Sequence, residues 1–434
     1  MIEARTLQGF SDFLPEDMYL RQYLMDTWRH TFESFGYGAL DTPALEYEDI
    51  LMGKYGEEEK LIYRFTDNGD RKVALRYDQT VPLARAVVQH QNDIKFPFKR
   101  YQIGKVWRAD SPRKGRKREF YQCDADIIGS VSPLADAEIL CVIDQGMKTL
   151  GLDDYVINLN HRGILEAMMN SWDIPEQFHI EVFRAIDKFD KIGADGVAKE
   201  LMTRKVPPDA HKKILELLDW KETDIDKVFN FLEKKFGNSP AAQNGITNLR
   251  RITELALASK VDPENIFINL NLVRGLDYYT GGVFEVTVPV FGRTALAAGG
   301  RYDKLTQAFS NHNLPGVGVG IGFETLYELL KEHPITFPKT APEILLVAFS
   351  NELLADVSNI AAELRAIGKR VMVYPGGAEK MSKQLKYAND LKIPYVLIFG
   401  PDEAKAKKIQ LKNMETGESQ TIKLDELVNK MSVI

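Results

Sequence analysis

Two stretches, Tyr101-Gln-Ile-Gly-Lys-Val-Trp107 and Glu119-Phe-Tyr-Gln-Cys-Asp-Ala-Asp126, predict the two strands of a long antiparallel hairpin. The first is largely apolar, and in the other Asp124 and Asp126 stand two residues apart, which is the period of a strand. The segment that joins them contains Pro112 and Gly115, residues typical of loops. It is also strongly basic, so the hairpin has a cationic tip.

Arg108 stands where the first strand of this hairpin ends, beside apolar neighbours. An arginine stays charged at any working pH and can grip a phosphate or a carboxylate with two N–H groups. We therefore predict that Arg108 holds a nucleotide phosphate. For the basic tip itself, Arg113 to Arg118, a solvated surface is an equally good interpretation.

Two further clusters, Arg274-Gly-Leu-Asp-Tyr-Tyr-Thr280 and Gly299-Gly-Arg-Tyr-Asp303, each combine a cation, aromatic hydroxyls and bare backbone. That chemistry is unusual for a segment that only fills a core, and we predict that the clusters form two walls of one site. An ion pair of Arg274 with Asp277, or a core position for Tyr278, remains an alternative.

The stretch Pro315-Gly-Val-Gly-Val-Gly-Ile-Gly322 places glycine at every second position, so one face of the predicted strand is bare backbone. A bare face permits close approach of a flat ligand. The spacing does not fit GxGxxG, which excludes a dinucleotide fingerprint. Tight packing of this face against a helix is the structural alternative.

Composition limits the class of protein. A chain of 434 residues, 44% hydrophobic and 27% charged, indicates a globular protein of two or three domains. Its longest apolar runs fall short of a membrane span, and the charged amino-terminal residues argue against export, so we expect a cytoplasmic location. A net charge of −6 argues against a general nucleic-acid coat. Two cysteines and seven scattered histidines make a structural zinc improbable.

Changes in pattern along the chain predict three domains. Mixed helices and strands over residues 1–172 and 263–333 favour an α+β domain built on an antiparallel sheet. Residues 173–262 are rich in helix formers and predict a helical insertion. Residues 342–434 alternate apolar strands with helices, which is typical of an α/β domain with a sheet covered on both faces.

Over nearly its full length the chain resembles the histidine-tRNA ligases, which are class II aminoacyl-tRNA synthetases. Six motifs in the family's order carry the likeness: Gly9-Phe-Ser-Asp-Phe-Leu-Pro15, Asp41-Thr-Pro43, Asp78-Gln-Thr80, the hairpin from Arg100 to Asp126, the Arg274 cluster and the Gly299 cluster. The resemblance implies ATP-dependent ligation of L-histidine to tRNA(His) through a histidyl-adenylate, with release of pyrophosphate and AMP. It also implies a homodimer, magnesium carried by ATP rather than zinc, and neither DNA nor a membrane as a partner.

Roles carried over from the family match particular positions. Arg108 and Arg274 correspond to the catalytic pair on the α-phosphate. The ATP site would also include Arg116, Gly320 and Gly322. Histidine would be held through its ammonium by Asp78, Thr80 and Gln122, through its ring by Asp126 and Tyr279, and in a pocket lined by Tyr278 and Tyr302. In the structural alternative, Asp126 is a solvent-facing strand residue.

The sequence departs from the class II pattern at Glu324-Thr325-Leu326, where class II chains carry an arginine at the second position. Threonine cannot supply that cation, so Arg116 or another cation such as Arg301 could compensate, or ATP could be held more weakly. The neighbours of Arg116, which are Lys114, Lys117 and Arg118, are interpreted as solvated or facing tRNA. Two non-catalytic functions stay open. One is a regulatory paralogue like the subunit that serves the first enzyme of histidine biosynthesis, and the other is a synthetase-like sensor of tRNA.

Overall fold

The computed structural model describes residues 1–113, 115–220, 222–273, 279–289, 292, 294–311 and 313–433. The chain divides into two compact units, Met1–Thr336 and Phe337–Ile434. The predicted helical insertion thus belongs to the larger unit, and the three-domain division stays a prediction. No helix in these described ranges is both long and apolar enough to cross a bilayer.

The strands of the larger unit form two sheets. They are β1 (Gly38–Ala39), β2 (Leu45–Tyr47), β3 (Arg64–Thr66), β4 (Lys72–Leu75), β5 (Phe98–Trp107), β6 (Glu119–Ile128), β7 (Val156–His161), β8 (Ile266–Ile268), β9 (Gly282–Thr287), β10 (Ala295–Tyr302) and β11 (Gly316–Ile321). The large sheet has the order β1-β5-β6-β11-β10-β9-β7-β8, and β2, β4 and β3 form a small separate sheet. Only the outermost pairs of the large sheet, β1 with β5 and β7 with β8, are parallel. The predicted α+β fold on an antiparallel sheet is confirmed.

Helices surround this sheet. They are α1 (Pro15–Ser34), α2 (Glu48–Leu51), α3 (Thr80–Gln89), α4 (Pro133–Thr149), α5 (Arg162–Ser171), α6 (His179–Ile186), α7 (Phe189–Thr203), α8 (Pro208–Leu218), α9 (Ile225–Phe236), α10 (Pro240–Ala258) and α11 (Phe323–Glu332). The helix α10 packs against α4 and α5, which joins the helical segment to the sheet domain. Trp28 of α1 is fully buried, and a Cβ at Gly146 of α4 would overlap its ring. Glycine at that position therefore lets α1 and α4 approach closely.

The hairpin β5–β6 pairs without interruption from Phe98 opposite Ile128 to Trp107 opposite Glu119. Because a strand turns successive side chains to opposite faces, residues two apart on β6 share a face. Asp124 and Asp126 therefore lie side by side. The predicted hairpin is confirmed.

The glycine-rich strand β11 lies between β6 and β10. Gly318 pairs with Asp126, and a Cβ at Gly318 would overlap the Asp126 carboxylate. At Gly316 a Cβ would come within 2.6 Å of the Tyr302 ring. The bare face thus gives room to polar side chains of the neighbouring strands, which the sequence alone did not reveal.

The smaller unit is an α/β domain, as predicted. Its elements are β12 (Ile344–Ala348), α12 (Leu354–Ala366), β13 (Val371–Val373), α13 (Met381–Asp390), β14 (Tyr395–Phe399), α14 (Pro401–Ala406), β15 (Lys408–Asn413), β16 (Ser419–Lys423) and α15 (Leu424–Val433). The sheet order is β13-β12-β14-β15-β16, parallel over the first three strands and antiparallel over the rest. Alternate residues of β12 enter two different apolar clusters, so both faces of the sheet are covered.

Candidate active site

A polar cavity of about 90 Å³ lies at the middle of the large sheet, where β6, β10 and β11 adjoin the start of α3. Most of the residues expected to bind histidine meet there. The lining residues are Asp78, Thr80, Arg108, Gln122, Asp124, Asp126, Tyr279, Ala298, Tyr302, Gly318, Val319 and Gly320. Arg274 and Tyr278, also expected at this site, lie outside the described residues.

Asp126 is buried at the floor of this cavity with only 3% of its surface exposed, so the solvent-facing alternative is wrong. Its Oδ2 lies 2.6 Å from Nη2 of the fully buried Arg100, and the Tyr302 hydroxyl donates a hydrogen bond to Oδ1. Burial raises the pKa of the Asp126 carboxyl, while Arg100 and the Tyr302 hydrogen bond act in the opposite direction. Together Asp126 and Arg100 carry no net charge, and Asp126 can accept a hydrogen bond from a ligand.

Two hydrogen bonds hold the Asp78 side chain in place. Its Oδ1 accepts hydrogen bonds from the Tyr55 hydroxyl at 2.9 Å and from the Val81 amide at 3.1 Å, within the first turn of α3. Burial raises the pKa of the Asp78 carboxyl, and these hydrogen bonds and Arg108 oppose that shift. Thr80 begins the same helix, so both side chains are held at its amino-terminal end.

A larger cavity of about 740 Å³ shares Arg108 with the small one. It is lined by the basic loop, by β11's end and by α11, including Arg116, Gly322 and Thr325. The structure thus places Gly320 at the small cavity and Gly322 at the larger one. Two adjoining cavities with one arginine in common suit a reaction between two bound molecules.

The guanidinium of Arg108 is held rigidly between two rings. Its Cζ lies 4.3 Å from the centroid of Tyr77 and 5.2 Å from that of Phe120. Its Nε donates to the Tyr77 carbonyl at 3.1 Å. Cation–π contacts and one backbone hydrogen bond therefore fix the direction of this charge.

Side chains of the basic loop make contacts that the composition of the loop did not predict. Arg116 donates from Nε to Asp110 at 2.8 Å, with its side chain 43% exposed. Lys117 is only 20% exposed and lies 3.8 Å from Glu324 and 4.1 Å from the Phe13 ring centroid. Lys117 is thus partly buried and lines the larger cavity, and its interpretation as solvated or facing tRNA stays a prediction. Lys114, interpreted in the same way, lies outside the described residues.

Thr325 faces the larger cavity, beside a buried ion pair. Glu324 accepts two hydrogen bonds from Arg21, at 2.8 and 2.7 Å, and both side chains are almost fully buried. Arg301 is bound to Asp136 and to the Ser130 carbonyl and lines neither cavity. The suggestion that Arg301 replaces the missing cation is therefore wrong.

Sequence reasoning missed two residues of the site, Arg100 and Asp124. Arg100 pairs with Asp126 in the hairpin register, so its position could have been found by aligning the two strands. Asp124 lies two residues before Asp126 on the same strand face. Among the residues that the structure describes, no group of three or more His, Cys, Asp or Glu is arranged to hold a metal ion.

A large antiparallel sheet with the site at its centre is the architecture expected of class II aminoacyl-tRNA synthetases, and the family models agree. The model described as histidyl-tRNA synthetase matches residues 9–326, and one described as an anticodon binding domain matches residues 343–433. The chain belongs to the histidyl-tRNA synthetase family, as the sequence motifs predicted.

Similar proteins extend over the whole chain. It is 38% identical to a histidine–tRNA ligase of Cytophaga hutchinsonii over 98% of each chain. It is 39% identical to one of Clostridium tetani, over 99% of this chain and 98% of the relative. A crystal structure of histidyl-tRNA synthetase from Nostoc sp. matches with a TM-score of 0.89 and 30% identity over 100% of both chains.

Proposed function

We propose that the protein joins L-histidine to tRNA(His) in two steps, by way of a histidyl-adenylate. Family membership over residues 9–326, together with a carboxy-terminal match to an anticodon binding domain, supports this activity. The observation that carries the proposal is that one small polar cavity gathers Asp78, Gln122, Asp126 and Tyr302 and shares Arg108 with a larger cavity.

In the first step a carboxylate oxygen of histidine forms a bond to the α-phosphorus of ATP, and the bond to the pyrophosphate oxygen breaks. Two anions must meet, so the main contribution of the protein is alignment and electrostatic stabilisation. Arg108, which lines both cavities, would serve this task. Arg274 would act from the other side, on the strength of the family resemblance.

Selection of histidine would depend on protein partners for both its imidazole ring and its ammonium group. A neutral imidazole can donate its N–H to Asp126, whose charge is balanced by Arg100. An amino acid with an apolar side chain would leave these buried groups without partners, at a cost of about 1–3 kcal/mol per group. Asp78, Thr80 and Gln122 would hold the ammonium, with Tyr279 and Tyr302 against the ring.

ATP, which the family uses as a substrate, would occupy the larger cavity. Its volume of about 740 Å³ is within the range of nucleotide-sized ligand sites. Gly322 at this cavity would allow an adenine to approach the strand, and Arg116 would contact the phosphates. Gly320, also expected at the ATP site, lines the small cavity instead. Magnesium would arrive bound to the triphosphate, because such ions depend on few protein ligands.

The partners follow from the same assignment. The carboxy-terminal unit would read the anticodon of tRNA(His), and the basic loop of the hairpin would meet the acceptor end. The segment Asp41-Thr-Pro43 would contribute to a homodimer, and the expected location is the cytoplasm. A regulatory or tRNA-sensing role is not favoured, because full-length similarity joins the chain to histidine–tRNA ligases.

The variant Arg108→Lys tests the proposed function, because it keeps the charge but loses the planar guanidinium that can donate two parallel hydrogen bonds. We expect histidine-dependent pyrophosphate exchange to fall about 100-fold in kcat, the typical effect of removing one well-placed donor. The matched control is Arg250→Lys in α10, since Arg250 also lies over a ring, 4.4 Å from the Phe229 centroid. Full activity in the Arg108 variant would contradict the proposed role of this residue.

A further inference from the structure

Asp124 differs from the other two carboxylates of the small cavity in having no strong partner. It is 3% exposed, and its Oδ1 accepts a long hydrogen bond from Gln122 Nε2 at 3.5 Å, the limit for such a contact. Asp78 is bonded to Tyr55 and a backbone amide, and Asp126 to Arg100 and Tyr302. Within the described ranges, no Lys or Arg nitrogen lies at ion-pair distance from Asp124.

The opposite strand leaves room for this carboxylate. Gly320 pairs with Asp124 in the sheet, and a Cβ at Gly320 would lie 3.1 Å from Asp124 Oδ1 and 3.4 Å from Gln122 Nε2. A side chain there would crowd both groups. The glycine therefore keeps the space in front of Asp124 open to a ligand.

The charges around the cavity do not balance when all the acids are ionised. Three carboxylates, those of Asp78, Asp124 and Asp126, stand against the guanidiniums of Arg100 and Arg108. Arg76 also lies nearby, but it is bonded to the Thr42 carbonyl and lies 3.5 Å from Asp41. Among the residues that the structure describes, one buried carboxylate of the cavity therefore remains without a counter-ion, which is costly unless a cation enters.

We propose that Asp124 binds the α-ammonium group of the amino-acid substrate, beside Gln122 and Asp78, and so helps to determine which ligands the cavity accepts. The inference rests on the proposed function in taking histidine as that substrate. The ammonium is the permanent cation of histidine at neutral pH, whereas the imidazole is neutral and needs only hydrogen-bond partners. Asp126, already neutralised by Arg100, suits the ring, and Asp124 suits the full charge.

The protonation of Asp124 in the empty site agrees with this assignment. Burial raises its pKa to about 8; Asp126 and Asp78 act in the same direction, while Arg100 and Arg108 oppose the shift. The charged groups that face it are thus Asp78, Asp126, Arg100, Arg108 and Arg76. We therefore expect Asp124 to hold a proton at pH 7 before the ammonium binds. An arriving ammonium lowers that pKa, and the proton leaves to the solvent.

Calorimetric titration of the full-length protein with three ligands separates this role from a structural one. L-Histidine and histidinol carry the ammonium, and imidazole-4-propionate lacks it but keeps the ring and the carboxylate. We expect Asp124→Asn to weaken L-histidine and histidinol by about tenfold or more, the scale of a lost charge-assisted hydrogen bond, and to leave imidazole-4-propionate unchanged or tighter. Proton release at pH 7, measured in two buffers of different ionisation enthalpy, should occur with the unmodified protein and disappear in the variant.

Gly320→Ala provides a second test that keeps the carboxylate. The added methyl enters the space before Asp124, so we expect weaker binding of L-histidine with little change for imidazole-4-propionate. Equal weakening of all three ligands by Asp124→Asn, or unchanged affinity for L-histidine, would overturn the proposal. Failure of the unmodified protein to bind L-histidine would overturn both this inference and the proposed function. If L-histidine binds equally well to the unmodified protein and to Asp124→Asn, only this inference fails and the proposed function stands.

Discussion

Thr325 is the residue at which this chain departs most clearly from its family, and the structure shows its surroundings. It lines the larger cavity with Arg108, Arg116 and Lys117. The acid before it, Glu324, is already neutralised by Arg21. A cation at position 325 would therefore be free to meet a phosphate, and Arg116, which lines the same cavity, is a described cation that could act in its stead.

We predict that Thr325→Arg leaves the activity unchanged or lowers the KM for ATP, because it adds a positive charge to a cavity with room for it. Steady-state pyrophosphate exchange at varied ATP checks this. Thr325→Gln, which has added length without charge, should not lower the KM. A tenfold or greater loss of ATP-dependent turnover in the arginine variant would show that position 325 is not a vacancy for a cation.

Individual site residues were predictable where a motif carried them. Asp78, Thr80, Gln122, Asp126, Tyr279, Tyr302 and Arg108 line one cavity, although the roles given to them stay predictions. Arg100 and Asp124 were missed because their importance comes from what lies across the sheet. An arginine in a strand signals a buried ion pair only when the register with its partner strand is known.

At the level of helices and strands, periodicity was a good guide. The predicted strand Tyr101–Trp107 lies within β5, and the predicted strand Glu119–Asp126 lies within β6. Pairing over long distances was not predictable. The strand β4, for example, joins the small sheet rather than the large one. Apolar alternation shows that a segment is a strand but does not identify its neighbour.

The contact between α1 and α4 provides a test of packing. We predict that Gly146→Ala lowers the thermal melting midpoint, because its methyl group would overlap the buried ring of Trp28. Overpacking typically costs about 1–3 kcal/mol, and the better helix propensity of alanine returns at most about 1 kcal/mol.

Gly38→Ala in β1 is the matched control, since its Cβ would meet only the Lys99 carbonyl at 3.8 Å, an ordinary contact. Its melting midpoint should stay close to that of the unmodified protein. If both variants melt alike and close to the unmodified protein, the tight approach of the two helices is not a feature of the protein in solution.

For the molecule as a whole, the proposed homodimer rests on Asp41-Thr-Pro43 and its likeness to the class II dimer motif. Class II motifs of this kind imply a twofold interface, in which the same surface of each subunit meets its partner. We predict that sedimentation equilibrium gives about twice the chain mass of 49.2 kDa at micromolar concentration. A fully active monomer under those conditions would refute the dimer.

We propose that the small polar cavity selects histidine and presents it to ATP beside Arg108. The decisive experiment is pyrophosphate exchange measured separately with each of the twenty amino acids. We expect exchange that depends on histidine alone and that falls about 100-fold in Arg108→Lys. Exchange with a different amino acid, or none with histidine, would contradict it.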